Sequence, residues 1–171
     1  MRWVTDLTHS RTVEGWLYLA VIVDLYNKVV VGWSMSPQQD RHLVLKVVLM
    51  AVWQRESKES VILHSDRGAQ FTSGEYQVFL RDHGIICSMN AVGHCRDNAA
   101  VEGFFGLLKS ERVGRRRYRK FAEARTDILD CIEQFHNPRI RRRVAEPISG
   151  KRRISKPTVV SGVEPIWAGL L

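Results

Sequence analysis

The amino-acid sequence predicts an α/β domain built on a mixed five-stranded sheet, in which three antiparallel strands are followed by parallel additions and helices flank the sheet. Two observations predict this class. Three β-rich runs stand near the N-terminus, and helical and β-rich segments alternate after them. Such an order is typical of a sheet covered by helices. The length of 171 residues is sufficient for one domain with a buried core.

The first three strands are predicted as consecutive antiparallel neighbours. The first is the alternating run RWVTDLT, and TVEGWLYLAVIVDLYNKVVVGWSMS supplies the other two. Gly15 marks the first turn and residues 26–28, Tyr-Asn-Lys, mark the second.

Helices and strands alternate in the next part of the chain. Apolar residues recur at helical spacing from about Arg41 to Arg55. The run SVILHSD is short and apolar, as expected for a central strand covered on both faces. SGEYQVFLRDHG has a Ser start, helical periodicity and a Gly stop, which predict a helix, and IICSMN follows as the fifth strand.

The last part of the chain is predicted to be a loop, two helices and an irregular tail. The loop is AVGHCRDN, and the helices cover about 99–112 and 121–136. The chain from Asn137 onward holds four of the five prolines and is predicted to be irregular. We therefore divide the chain into a core, residues 1–137, and a basic, Pro-containing tail, residues 138–171.

Charge is the first guide to function. Lys and Arg number 26 against 18 acidic residues, which gives a net charge of +8 and a pI near 9.8. Such a balance favours a polyanionic partner, and nucleic acid ranks ahead of a membrane because no amphipathic apolar helix accompanies the charge.

The sequence gives no sign of membrane insertion or secretion. No apolar run approaches the roughly 20 residues that span a bilayer, and the N-terminus lacks the order of a signal peptide. The three cysteines, Cys87, Cys95 and Cys131, have no paired spacing, which fits a reducing compartment. We expect a cytoplasmic protein, nucleoid-associated when bound to DNA.

Three acids occupy positions where an acid is unusual. Asp6 lies inside the first strand, Asp66 at the end of the fourth, and Glu102 in the first turn of a helix. If the first and fourth strands are neighbours, the three carboxylates can converge. Asp24, also at a strand end, is interpreted as part of a turn because Tyr-Asn-Lys follows it.

Clustered carboxylates repel each other, so a cluster of this kind persists only where cations neutralise it. Ligands that are all oxygen favour Mg²⁺ or Mn²⁺ over zinc. Two such ions about 3.5–4 Å apart are the usual device for in-line phosphodiester displacement. The alternative for each acid alone is a solvated surface carboxylate.

Three sequence blocks strengthen the first interpretation. WVTDLT, HSDRGAQFTS and RDNAAVEGFFGLLKSE resemble the blocks of the DDE transposases of bacterial insertion sequences, and the 35 residues between Asp66 and Glu102 match that family's spacing. The resemblance is closest to the second-frame product of the family-three insertion sequences. It runs from about Arg2 to at least Asn137, and FHNPRIRRRV resembles the closing segment of some members.

The resemblance implies a ribonuclease-H-like fold and the catalytic core of the retroviral-integrase superfamily. It implies that Asp6, Asp66 and Glu102 are the catalytic metal ligands, with Asp6 bridging two Mg²⁺ or Mn²⁺ ions. The implied reaction is hydrolysis of a DNA phosphodiester by metal-activated water, followed by attack of the freed 3′-hydroxyl on a second phosphate. The implied partners are transposon ends and target DNA.

The surroundings of Glu102 support a site without the resemblance. Val101, Phe104, Phe105 and Leu108 form a core stripe at helical spacing. Lys109 is seven residues from Glu102 and therefore lies within about 20° of it around the helix. Lys109 can meet a phosphate there, and the alternative is a solvated lysine.

Further DNA contacts are predicted before and after this helix. Asp97 or Asn98 is expected to cap the helix, and Asn98 is also a candidate DNA contact. The basic run after the helix could continue the line of contacts with DNA phosphates. The alternative for each of its residues is a solvated basic face. The candidates are Arg115, Arg116, Arg117, Arg119 and Lys120. His64, His94 and Cys95 lack zinc-finger spacing.

Two other functions are kept open. One is a catalytically silent, N-terminally truncated transposase remnant that binds DNA or joins oligomers, because Met1 stands only five residues before Asp6. The other is a structure-selective nuclease that cleaves without joining strands. In each case we expect a homo-oligomer or association with an end-recognition subunit.

Overall fold

The structure is a computed structural model and describes residues 1–55, 59–66, 68–89 and 99–145. The strands are β1 (Arg2–Thr12), β2 (Gly15–Asp24), β3 (Val30–Ser36), β4 (Val61–Ser65) and β5 (Ile85–Met89). The helices are α1 (Arg41–Trp53), α2 (Ala69–Thr72), α3 (Gly74–Asp82), α4 (Ala99–Glu111), α5 (Phe121–Asp130) and α6 (Asn137–Ala145). A 3₁₀ turn (Val113–Arg115) follows α4, and a π-helical turn (Cys131–His136) joins α5 to α6.

The strands form one mixed sheet in the order β3-β2-β1-β4-β5. The first three strands are antiparallel neighbours, and β4 and β5 run parallel to β1. The predicted fold class is therefore confirmed, as is the condition on which the carboxylates were expected to meet, that the first and fourth strands are neighbours. The chain must cross over to add β4 and β5, and helices form these crossovers because a parallel connection needs a long return.

The sheet is covered on both faces because successive strand residues point to opposite sides. On the face that we call the α1 face, Trp3, Ile22 and Leu63 pack with apolar side chains of α1 and α3. On the opposite face, here the α4 face, Val4 and Val21 pack with apolar side chains of α4 and α5. No helix among the described residues is long and apolar enough to cross a membrane.

Gly32 allows α1 to approach the sheet closely. A Cβ at this position would lie 2.5 Å from the Val47 carbonyl oxygen in α1, which is inside van der Waals contact. Asp40 begins α1 by accepting a hydrogen bond from the Leu43 N–H at 2.9 Å. The helix thus starts directly after β3 and lies against it.

Two elements before β5 differ from the predictions: β1 is longer, and there is an additional short helix. β1 continues to Thr12, beyond the predicted RWVTDLT, because His9 to Thr12 pair with β2. The short helix α2 was not predicted, since four residues are too few to show a helical period.

The prediction of an irregular chain from Asn137 onward is wrong for residues 137–145, which are helical. Pro138 has no N–H and clashes with the preceding turn of an α-helix, so it was interpreted as the end of the helix. The π-helical turn before it widens the helix and lets the chain continue, and the Asn137 N–H bonds to the Ile132 carbonyl five residues back. Residues 146–171 lie outside the described residues, so the division at residue 137 remains a prediction.

Asn137 ties this helix to the sheet. Its side chain is 2% exposed and forms two hydrogen bonds to Val30 at the start of β3. The carboxamide oxygen accepts from the Val30 N–H, and the carboxamide nitrogen donates to the Val30 carbonyl, both at 2.9 Å. The side chain therefore pairs with Val30 in the way that a neighbouring strand would.

Candidate active site

The register of β1 against β4 places two of the predicted carboxylates side by side. Arg2, Trp3 and Val4 are paired with residues 62–64 of the parallel strand β4. Continued by two residues, this register brings Asp6 level with Asp66. β4 ends at Ser65, so Asp66 stands at the end of the strand, as predicted. Because Val4 packs on the α4 face, alternation directs Asp6 to the same face.

Asp66 is exposed and lies in a tight local turn. Its Oδ1 accepts a hydrogen bond from the Gly68 N–H at 3.0 Å. A Cβ at Gly68 would lie 3.0 Å from the same Oδ1 and 2.4 Å from Nε2 of the Gln70 side chain. A larger residue at this position would therefore displace these two side chains. Gly68, two residues after Asp66, therefore leaves space for these two side chains, while Arg67 lies outside the described residues.

Glu102 is carried by the first turn of α4 and is exposed. The predicted core stripe on this helix is confirmed, since its four apolar residues are all buried against the α4 face; they are Val101, Phe104, Phe105 and Leu108. Packing of this stripe fixes the rotation of α4 about its axis. Glu102 and Lys109 are exposed beside this buried stripe, on a helix that packs against β1 and β2.

Burial and nearby charges shift the pKa of Asp6. Burial is the largest influence and raises the pKa of Asp6 above its ordinary value. The Leu7 N–H, which donates to Asp6 Oδ1 at 2.7 Å, opposes that rise. The carboxylates of Asp66 and Glu102 raise the pKa further, and the ammonium group of Lys109 lowers it. The fold has therefore brought four side chains together from three separate elements.

The donor set of this site suits a divalent cation. All three acids offer carboxylate oxygens, which are the ligands that Mg²⁺ and Mn²⁺ prefer. The repulsion that raises the pKa of Asp6 is of the kind that a bound cation relieves. Within the described part of the chain, no group of three or more His, Cys, Asp or Glu side chains is close enough to hold a metal ion as it stands.

The basic segment between α4 and α5 is held by a buried acid. Asp127, 6% exposed, accepts a hydrogen bond from the Tyr118 hydroxyl at 2.6 Å. Arg112 and Arg116 each place Nη1 3.3 Å from an Asp127 oxygen. Burial first, and then the bond to Asp127, raise the pKa of Tyr118 above its ordinary value. Sequence reasoning missed this cluster, because an acid within a helical pattern carries no sign of its partners.

The basic segment that holds most of the predicted DNA contacts lies at one end of the β1–β2 hairpin. Residues 118–121 lie across the tip of the β1–β2 hairpin, where Thr12 and Tyr118 form a bridge. This tip is about 20 Å from Asp6, the length of six strand residues. The basic candidates in this segment are all exposed, although Arg116 also contacts Asp127; they are Arg115, Arg116, Arg117, Arg119 and Lys120. Asn98 and Asp97 lie outside the described residues.

Comparison with known protein families decides the classification. The family model of the integrase core domain matches residues 1–95, more than half of the chain. The chain belongs to the integrase core domain family. Both Asp6 and Asp66 lie within the matched residues.

This integrase core domain is similar in sequence to a curated transposase. It is 43% identical to transposase InsF for insertion sequence IS3A of Escherichia coli (strain K12) over 136 aligned residues. The alignment covers 80% of this chain and 47% of InsF. The chain thus spans about half the length of the curated relatives that it matches. The predicted resemblance to insertion-sequence transposases is confirmed.

Solved structures confirm the ribonuclease-H-like fold of this integrase core domain. The catalytic domain of Mos1 mariner transposase matches with a TM-score of 0.65 at 11% identity, over 82% of this chain and 74% of that one. The HTLV-2 integrase catalytic core domain, solved in complex with magnesium, matches with a TM-score of 0.53 at 23% identity, over 64% of this chain and 67% of that one.

Proposed function

We propose that this chain catalyses metal-dependent cleavage of DNA phosphodiesters and strand transfer during transposition. The observation that carries the proposal is that Asp66, Glu102 and Lys109, from the end of β4 and from α4, all act electrostatically on Asp6 of β1. Isolated surface acids are normally solvated and kept apart from other acids. An integrase core domain that gathers three carboxylates and a lysine is best explained by a site for phosphate chemistry.

Asp6, Asp66 and Glu102 are the proposed catalytic residues and metal ligands, and two Mg²⁺ or Mn²⁺ ions are the proposed cofactors. The HTLV-2 integrase core domain was solved in complex with magnesium, which supports this choice of cation. When bound, the ions supply charge neutralisation at the phosphate and a water of lowered pKa. Partial burial of Asp6 and its bond from Leu7 hold one ligand still, while the exposed Asp66 and Glu102 can adjust.

The proposed partners are transposon ends and target DNA. Lys109 is placed to neutralise a phosphate beside the carboxylates, and Asn98 is proposed to contact DNA at the start of α4. The basic segment would extend these contacts towards the hairpin tip, with each true phosphate contact steepening the salt dependence of binding. The HTLV-2 core domain was solved in dimeric and trimeric forms, which supports a homo-oligomer, or an assembly with an end-recognition subunit, for this chain as well.

The glycines of α4 offer a test of how closely DNA approaches this helix. Gly103 and Gly106 are exposed, and a Cβ built at either position meets nothing within 4 Å. Replacing both with Ala is expected to raise the free energy of unfolding by about 2 kcal/mol, since Gly costs about 1 kcal/mol in a helix interior. If DNA lies against this surface, the same variant will cleave DNA more slowly although it is more stable.

Chemical denaturation and cleavage rates of the Gly103→Ala/Gly106→Ala variant would be measured together. Gly74→Ala is the matched control, because its Cβ also meets open space and Gly74 lies at the start of α3. A more stable double variant that cleaves at the wild-type rate would argue against close approach of DNA to α4.

The proposed function is tested by an assay of cleavage and joining. Oligonucleotides with branched, pre-nicked or transposon-end sequences would be incubated with the full chain and Mg²⁺ or Mn²⁺. We expect the wild type to give cleaved and joined products, and Glu102→Gln to lower the rate at least about a hundredfold, because even outer-shell partners of metals are worth 10- to 100-fold. Glu111→Gln, at the exposed end of the same helix, is the control.

The products separate the proposed function from its alternatives. Cleaved ends without joined molecules would indicate a structure-selective nuclease. A folded wild type that binds DNA equally with and without Mg²⁺, shows no cleavage, and is unaffected by Asp66→Asn would contradict the proposal and indicate a silent DNA-binding remnant.

A further inference from the structure

The far end of the β1–β2 hairpin carries a cluster of aromatic and cationic side chains on the α1 face of the sheet. His9 lies opposite Tyr18 and Arg11 lies opposite Trp16 in the antiparallel register. Alternation places all four on the side where Leu7 and Tyr18 meet the α1-face core. We call these four residues the hairpin patch.

The hairpin patch is open to solvent, whereas the other face of the same hairpin is closed. Trp16 is 44% exposed, and His9 and Arg11 are exposed as well. On the other face, Leu17 and Thr12 are buried, beside the segment that contains Tyr118. The hairpin is therefore held rigidly from behind and presents aromatic rings in front.

The rings of the hairpin patch meet edge to face and do not stack on one another. The His9 and Trp16 rings lie 4.8 Å apart at 88°, and the His9 and Tyr18 rings lie 6.2 Å apart at 61°. At such angles an edge meets a face, so the ring that contributes its edge keeps both faces uncovered by the pair. The Arg11 guanidinium lies over the Trp16 ring, 5.5 Å from its centroid, and so adds a positive charge at one face of that ring.

We propose that the hairpin patch is a stacking surface for unpaired bases of a DNA strand. Aromatic side chains on an exposed sheet surface, combined with Arg, are the arrangement with which proteins bind single-stranded nucleic acid. The charge around the hairpin tip is complementary to such a strand. Arg117, Arg119 and Lys120 are exposed beside the tip. Two acids lie near them, and each accepts a backbone hydrogen bond: Glu14 from the Phe121 N–H at 2.6 Å, and Glu123 from the Arg119 N–H at 3.0 Å.

The position of the hairpin patch connects it to the proposed active site. His9 is three strand residues, or about 10 Å, beyond Asp6 on β1. β4 pairs with β1 only as far as Val4 and ends at Ser65, so this part of β1 has no β4 residue beside it. The hairpin patch therefore lies along β1 beyond the point where β4 ends, on the face opposite the carboxylates.

This inference rests on the proposed function in that the occupant is DNA, but its test needs no chemistry. Binding of a fluorescent oligothymidylate of about 12 nucleotides would be followed by anisotropy in EDTA and compared with an abasic strand of equal length. The full chain is expected to bind oligothymidylate about tenfold more tightly than the abasic strand, since stacking of one base contributes about 1–3 kcal/mol. Equal affinity for the two strands would overturn the proposal, whatever the behaviour of any variant.

Variants locate the preference for bases on the hairpin patch. Trp16→Leu is expected to lose the tenfold preference while binding the abasic strand normally, and Trp16→Phe to retain most of it. Trp53→Leu is the control, because Trp53 is 81% exposed but lies at the end of α1. A folded Trp16→Leu variant that keeps the full preference would overturn the proposal.

The two proposals fail in different ways. Metal-dependent cleavage without any preference for bases would overturn the stacking surface and leave the proposed function intact. A chain that prefers strands with bases through Trp16 but never cleaves DNA would support the stacking surface and overturn the proposed function.

Discussion

Replacing Asp6 with Asn is expected to abolish cleavage and, in metal-free buffer, to stabilise the protein. The loss should be at least about a hundredfold, because a proposed metal ligand is removed and even outer-shell partners are worth 10- to 100-fold. The stabilisation has a separate cause. Burial and the charges of Asp66 and Glu102 raise the pKa of Asp6, so its ionised form is unfavourable in the folded protein. Asn keeps an oxygen for the Leu7 N–H and carries no charge.

The sign of the pH dependence follows from the direction of this pKa shift. The folded protein binds the Asp6 proton more tightly than the unfolded chain, whose pKa is close to 3.8. The penalty is therefore fully present above the raised pKa and disappears as the pH falls through it. The Tm of Asp6→Asn should exceed that of the wild type at neutral pH, and the difference should vanish on acidification to about pH 3.8.

Differential scanning calorimetry over this pH range, with and without Mg²⁺, measures both effects. Mg²⁺ should raise the Tm of the wild type by mass action and leave the Tm of Asp6→Asn unchanged. Asp82→Asn, an exposed acid at the end of α3, controls for the change in net charge. A lower Tm for Asp6→Asn in metal-free buffer at neutral pH would contradict the repulsion inferred among the carboxylates.

Replacing Asn137 with Ala is expected to lower the free energy of unfolding by about 2–6 kcal/mol. The substitution leaves the buried N–H and carbonyl groups of Val30 without their partners, and each unsatisfied group costs about 1–3 kcal/mol. Asn137→Asp should be at least as harmful, because it places a carboxylate oxygen against the Val30 carbonyl oxygen. Both variants release the helical segment from the edge of β3.

Urea denaturation followed by circular dichroism would measure this cost. Gln134→Ala is the matched control, because Gln134 is exposed on the π-helical turn one turn before Asn137. It should change the free energy of unfolding by no more than about 0.5 kcal/mol. An Asn137→Ala variant as stable as this control would show that water replaces the carboxamide at little cost.

Most of the sheet was predictable because its signals are local. The alternation in β1, the β-rich run of β2, the turn at Gly15 and the apolar run of β4 each lie within a short stretch of chain. The core stripe of α4 follows from helical spacing alone, and it fixes the side of the helix on which Glu102 stands. Where a feature depends on neighbours along the chain, the residue pattern is sufficient evidence for it.

The helix through Pro138 was not predictable, because proline normally ends a helix. Here a π-helical turn precedes Pro138, and two bonds tie the Asn137 side chain to Val30, 107 residues away. The residue pattern shows neither feature. The hydrogen bond between Asp127 and Tyr118, and the ion pairs of Asp127 with two arginines, could not be predicted from the sequence either. No periodicity reveals a partner that lies on another element.

The sequence by itself determined which residues could perform chemistry: three acids in unusual places, a lysine two turns after Glu102, and a basic run beyond it. Only the tertiary structure decided that β1 and β4 are parallel neighbours in a register that sets Asp6 beside Asp66. It also decided that Arg11 and Trp16 share an open sheet face at the hairpin end. The physical reason is that residue types and spacing limit what each segment can do, whereas pairing between distant segments sets which groups act on one another.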